Sequence, residues 1–162
     1  MSISYQLAST RFTSATYEEN MSYRKQQSIE VIYGTPVAIK PLGERVCILI
    51  VLEMNNEKNR LEGIGLIKNR MVSDVRHKIY SQPEYNRFIY RGKYFVNREE
   101  LKEYDNTIVE ICDLILFKGK SHLKRHYGIT IVSENLFRHW EQFDMIELKK
   151  QIIKVFKDKY RK

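Results

Sequence analysis

The chain starts polar and turns apolar only from Ile29. Residues 1–28, "MSISYQLASTRFTSATYEENMSYRKQQS", show little periodicity and are expected to form a flexible arm, disordered alone or ordered against a partner. Residues 29–162 read as one domain. "IEVIYGTPVAIKP" is rich in β-branched residues and punctuated by Gly34, Pro36 and Pro41, which predicts short strands and bends. "RVCILIVLEM" is the most apolar run, and its length and Val/Ile content favour a buried central strand over a helix.

"NNEKN" is a turn cluster, because asparagine tolerates left-handed backbone and bonds nearby amides. "RLEGIGLIKN" then alternates as a returning strand would. A phosphate-cradling loop needs its glycines between a strand and a helix N-terminus. Gly63 and Gly65 lie inside a strand instead, where they mark a bulge, a bend or a close backbone approach. After a polar connector, "HKIY" and "NRFIYRGKYFV" read as two further strands, with Arg91-Gly92 as a small turn inside the second. Asn97 and Glu100 form a capping box that opens a helix whose apolar positions are Ile108, Ile111, Cys112, Ile115 and Leu116. Gly119 is expected to end it. Residues 128–132, "GITIV", make a last strand. Asp144, with Glu147 completing a second capping box, starts an amphipathic helix that sets Met145, Leu148, Ile152, Val155 and Phe156 against a lysine-rich face. That helix is expected to dock on the domain or on a partner.

Composition narrows the partner. The 162 residues carry a formal net charge of +8, with a pI near 9.4. Such a balance favours polyanions, nucleic acid first. Cys47 and Cys112 sit in apolar runs and read as core residues in a reducing compartment. No apolar run approaches the ~18 residues of a membrane span. The N-terminal stretch lacks a secretory h-region, and Glu18-Glu19 argues against a transit peptide, so an intracellular location is expected.

Catalytic chemistry is poorly provided for. His122 and His126 stand four apart, but no third ligand is near and "HLKRH" repels a cation, so no metal is expected. No serine sits in a nucleophile elbow and neither cysteine has a thiolate-stabilising setting. Glu53 and Glu62 can face each other across the hairpin as a carboxylate pair, although turn-flanking glutamates are usually solvated edge residues. Basic residues among aromatics are the better signal. "YNRFIYRGKYF" sets Arg87, Arg91 and Lys93 among Tyr85, Phe88, Tyr90, Tyr94 and Phe95, a combination that lets rings stack on bases while cations hold phosphate. "FKGKSHLKRHYGIT" holds Lys118, Lys120, His122, Lys124 and Arg125 with no acid among them, a surplus that phosphate would balance.

The strand–turn–strand "VCILIVLEMNNEKNRLEGIGLIKN" resembles the central hairpin of the PUA-like superfamily, which includes the YTH, EVE and ASCH domains. The resemblance spans about Ile29 to Val132. Trp140, the only tryptophan, lies outside that span, so no methylated-base cage is visible and no reader residues carry over. "LEMNN…GIGLIKN", "YNRFIYRGKY" and "LFKGKSHLKR…GIT" also resemble blocks of a protein group encoded by large eukaryotic DNA viruses, which implies a viral origin and no particular activity. The expectation is an α+β protein, a compact, mostly antiparallel PUA-like β-barrel with flanking helices. It would bind RNA or DNA without catalysis or cofactor, in the host cytoplasm or nucleus. The basic segment would hold phosphates; Tyr85, Arg87, Tyr90 and Arg91 would contact bases or sugars. The alternative is a structural, virion-associated component whose arm and terminal helix dock on neighbouring subunits.

Overall fold

A computed structural model describes residues 4–39, 45–73, 75–118, 128–132 and 144–161. Seven strands and three helices make a mixed α+β fold among these residues. Five strands form one sheet in the order β6-β4-β3-β1-β7: β1 (Tyr5–Phe12), β3 (Ile48–Asn55), β4 (Arg60–Lys68), β6 (Tyr94–Asn97) and β7 (Ile129–Ile131). β2 (Val31–Thr35) and β5 (Phe88–Gly92) form a separate antiparallel ribbon. The helices are α1 (Ser14–Gln27), α2 (Arg98–Phe117) and α3 (Met145–Tyr160). All pairings are antiparallel except β1 with β3, and the described strands do not close into a barrel. No helix among the described residues is long and apolar enough to cross a membrane.

The expected N-terminal arm is instead part of the core. β1 runs parallel to β3 along its whole length, from Tyr5 beside Ile48 to Phe12 beside Asn55, with β7 on its other edge. Leu7 faces one core and Ala8 and Phe12 the other. The strand is hard to read because it also buries Ser9 and Thr10, whose polarity masks the alternation. α1 is hidden for a similar reason. Thr13 and Thr16 cap it reciprocally without an acidic residue, and the side chains it buries are Asn20 and Arg24.

The hairpin forms as expected. The Asn55 side chain accepts the Glu57 and Lys58 N–H groups, each at 3.0 Å, and Asn59 supplies a left-handed φ of 52°. Register passes from Glu53 beside Gly63 to Met54 beside Leu61, so Glu62 is an extra, bulged residue. Both glycines clear space for rings. A Cβ at Gly65 would strike the Tyr33 hydroxyl, and one at Gly63 would press on the Phe95 ring.

Two other readings need correction. "HKIY" is a loop and not a strand: the Asn86 side chain accepts the Ile79 and Tyr80 N–H groups and donates to the Tyr80 carbonyl, folding the loop over a 3₁₀ turn at Pro83–Asn86. Arg91-Gly92 is no hairpin tip, since β5 pairs with β2 while β6 pairs with β4. The chain changes sheets there, and Gly92 passes so close to the Leu66 carbonyl of β4 that no Cβ would fit.

The five-stranded sheet separates two cores. One gathers Ile50, Leu52, Ile64 and Val96 against α2 and α3. The other gathers Leu49, Val51 and Ile67 against the β2–β5 ribbon, with Tyr17 and Tyr23 of α1 packed at its edge. Asn97 and Glu100 cap α2 as expected, whereas Gly119 lies outside the described residues. Asp144 caps α3 by accepting the Ile146 N–H, and Met145, Leu148, Ile152, Val155 and Phe156 are all buried against the chain's own core. At the far end of α3, Tyr160 accepts the Phe95 N–H at 2.9 Å and Lys159 donates to the Phe95 carbonyl at 2.6 Å.

Across the second core runs an ion pair with almost no exposure. Arg24 of α1 donates to Glu53 of β3 at 2.9 Å, and Tyr33 of β2 donates to the same carboxylate oxygen at 2.6 Å. Arg24 is 6 % exposed and Glu53 0 %. The guanidinium lies 4.9 Å from the Phe95 ring centroid and 5.4 Å from that of Tyr33. Burial, with the Glu53 charge beside it, drives the Tyr33 hydroxyl well above its usual range and keeps it a donor.

Two stability measurements follow. Glu53→Gln strands a buried cation and should cost about 3–5 kcal/mol in urea unfolding, while joint replacement of Arg24 by Met and Glu53 by Leu should recover most of it. A loss below about 1 kcal/mol would mean the pair is not desolvated as described. Deleting residues 144–162 uncovers five apolar side chains at about 1.5–3 kcal/mol each, which rivals a whole domain's stability. The truncated chain should lose its cooperative thermal transition.

Candidate nucleic-acid interface

The sequence-derived site residues fall into three groups. Lys120, His122, Lys124 and Arg125 lie outside the described residues. Lys118 is exposed at the C-terminal cap of α2, its N–H bonded to the Leu114 carbonyl at 2.8 Å. The third group surrounds β5. Arg87 and Arg91 are exposed, Arg87 with its guanidinium 5.8 Å from the Phe88 ring centroid. Tyr85 is half-buried, its ring edge-on to Tyr80.

Tyr90 departs from the expectation. It is 2 % exposed, and its hydroxyl accepts the Ile39 N–H at 2.9 Å. Ile89 and Tyr90, on opposite faces of β5, are both buried in the second core. Burial pushes its hydroxyl pKa up. It holds the segment after β2 in place and offers no surface to a base or sugar.

Arg87 and Arg91 nevertheless mark two depressions that share a wall. The first, about 850 Å³, is lined by Arg76, Lys78 and Arg87 together with Phe88, Met71 and Val75. Met71 and Val75 are each more than half exposed, unusual for side chains of their kind. The second, about 820 Å³, is lined by Lys68, Arg91 and Lys93 with Tyr5, Leu66 and Tyr94. Val72 lines both and is fixed by its N–H to the Ile89 carbonyl at 2.8 Å. Tyr94 is 46 % exposed and braced edge-on by Tyr160 at 4.9 Å. Among the described residues, six cations therefore line these two adjoining depressions, against the two carboxylates Glu30 and Glu84. Phosphates suit such a surface, and Phe88 and Tyr94 present rings beside it.

The other chemical candidates are spoken for. Glu53 serves the buried ion pair, and Glu62 takes the Arg60 Nε–H at 2.6 Å, so each carboxylate has its own arginine. Burial raises the thiol pKa of Cys47 and, more strongly, of Cys112. Among the described residues no three His, Cys, Asp or Glu side chains gather as metal ligands.

Sequence reading missed Arg76, Lys78 and Lys68 as members of this surface, whereas Lys93, Phe88 and Tyr94 belong to the basic and aromatic run it singled out. A signal was present: Lys68, Arg70, Arg76 and Lys78 crowd one polar connector with Asp74 as its sole acid. Since Tyr90 serves the fold, Tyr90→Phe should lower stability by about 1–3 kcal/mol through the orphaned Ile39 N–H, and leave oligonucleotide affinity unchanged. Weaker binding at unchanged stability would return Tyr90 to the interface. Comparison of the chain with family models, with curated proteins and with solved structures gives no match.

Proposed function

We propose that this protein binds single-stranded nucleic acid, RNA or DNA, without transforming it. The observation that carries this reading is the groove that the two adjoining depressions make: among the described residues, six cations against two carboxylates, with Phe88 and Tyr94 at its margins. Phosphates neutralise the cations and release counterions, while unstacked bases lie on the rings. The overall charge of +8 acts in the same direction by steering polyanions to the surface. Lys118 and the residues that follow it in sequence, Lys120, His122, Lys124 and Arg125, extend the phosphate-binding capacity.

A PUA-like build belongs to this proposal. Its support is the β3–β4 hairpin and the seam at Gly92, where the β2–β5 ribbon closes on β4. The structural-component alternative relied on a free arm and an unpartnered terminal helix. Both elements are packed within the chain, so no observation favours it. On this reading the protein acts inside the cell, in the host cytoplasm or nucleus.

Fluorescence anisotropy with a single-stranded oligonucleotide of about 16 nucleotides tests the reading. Affinity should fall steeply with salt. Lys78→Ala with Arg87→Ala should flatten the log–log slope by about 1.4, at ~0.7 for each phosphate no longer neutralised. Phe88→Ala should weaken binding about tenfold and leave the slope alone, because stacking releases no counterions. Absence of binding by the unaltered chain at low salt would refute the function; an unchanged slope in the double variant would refute the groove.

A further inference from the structure

The two depressions of the groove repeat one set of groups. Arg76, Lys78 and Arg87 line the first with the Phe88 ring and, among the described residues, a single carboxylate, Glu84. Lys68, Arg91 and Lys93 line the second with the Tyr94 ring and, again among the described residues, a single carboxylate, Glu30. Phosphates and stacked bases account for the cations and the rings. They do not account for the acids, because a carboxylate among phosphate sites repels the backbone that its neighbours hold.

Neither acid is neutralised by the cations around it. Elsewhere in the chain Glu62 pairs with Arg60 at 2.6 Å and Glu100 with Lys159 at 2.9 Å. Among the described residues Glu30 and Glu84 enter no ion pair, and both are exposed. Their backbones are held all the same. The Glu30 carbonyl accepts the Arg24 guanidinium at 3.4 Å, and the next residue, Val31, is buried at the start of β2. Glu84 lies in the same 3₁₀ turn as Asn86, whose side chain ties that turn to the Ile79 and Tyr80 backbone. Each depression thus holds one anchored acid whose carboxylate is uncommitted.

An ionised carboxylate can only accept hydrogen bonds, through two oxygens. With a strand's phosphates on the cations, the groups that reach a neighbouring acid are donors of its bases. The bases differ in what they offer along the Watson–Crick edge. Guanine sets two donors side by side, N1–H and the N2 amino group, and these match the two oxygens of one carboxylate. Adenine and cytosine set an acceptor nitrogen beside their amino donor, and that nitrogen is repelled. Thymine and uracil place one N–H between two carbonyls, both repelled in the same way. Guanine is therefore the base whose edge a carboxylate meets without penalty.

We infer that Glu30 and Glu84 select guanine in the bound strand, each carboxylate taking the N1–H and the N2 amino group of a base held in its own depression. The inference rests on the single-strand binding proposed above and gives that binding its base specificity.

Fluorescence anisotropy of the full chain tests it with thymidine oligonucleotides of about 16 nucleotides. In three of them every fourth base is replaced, by guanine, adenine or cytosine, and a fourth is left unsubstituted. Deoxy strands remove the 2′-hydroxyl as a competing donor. The guanine strand should bind about tenfold more tightly than the other three. Glu30→Gln and Glu84→Gln should each reduce that preference, and the double variant should abolish it. The same variants should tighten binding of the unsubstituted strand, because a charge that repels phosphate is gone. Both acids are exposed, so the variants should keep the thermal transition, and the preference of the unaltered chain is a test that needs no variant. Equal affinity of the unaltered chain for all four strands overturns the inference and leaves single-strand binding standing. A guanine preference that survives in the double variant, with all four strands tightened alike, also overturns it, since the acids then act through charge alone. Absence of binding to any of the four refutes the function itself, and the inference with it.

Discussion

Glu53 carries its carboxylate at a point that water does not reach, and four elements are arranged around it. Arg24 comes from α1, Tyr33 from β2 and the Phe95 ring from β6, while β3 supplies the acid itself. An isolated charge in such surroundings would be prohibitive, so α1 has to lie where its arginine meets the strand. Gly65 leaves room for the Tyr33 hydroxyl, and Gly63 lets Phe95 sit beneath the guanidinium. The bulge at Glu62 gives that second carboxylate its own partner in Arg60. Features that look separate along the chain answer one electrostatic requirement.

The same centre also orders the ribbon that borders the groove. By fixing β2, it also fixes β5, whose Arg91 and the flanking Arg87 and Phe88 face the groove. The cations that line the groove lie outside this buried network and meet solvent. Tyr90 is committed to the interior, and Phe88, two residues away on the same face of β5, packs against the same core at the groove's margin.

Legibility in the sequence followed the kind of side chain each element buries. The β3–β4 hairpin, the α2 cap and the buried face of α3 could be read because their apolar positions keep a regular period. β1 and α1 could not. They bury Ser9, Thr10, Asn20 and Arg24, and a pattern test built on hydrophobicity scores those positions as surface. "HKIY" failed in the opposite direction, since its apolar residues are buried from a loop held by the Asn86 side chain. The site was half visible. Arg87, Arg91 and Lys93 stood out among aromatics, whereas Lys68, Arg76 and Lys78 meet them only because β4, β5 and the connector converge at Val72.

The placement of β1 also bears on how the chain comes to be folded. It precedes the other described strands in the chain, yet it lies between β3 and β7, and β7 begins only at Ile129. The β3–β4 hairpin closes over a short local turn, so it can form while later residues are still being made. β1 has no such local partner and must span a long loop to reach β3 in parallel. Its second edge stays uncovered until β7 has left the ribosome. Until then a growing chain of this kind holds an open strand edge, and the polar Ser9, Thr10 and Arg11 lower the chance that this edge pairs with another copy.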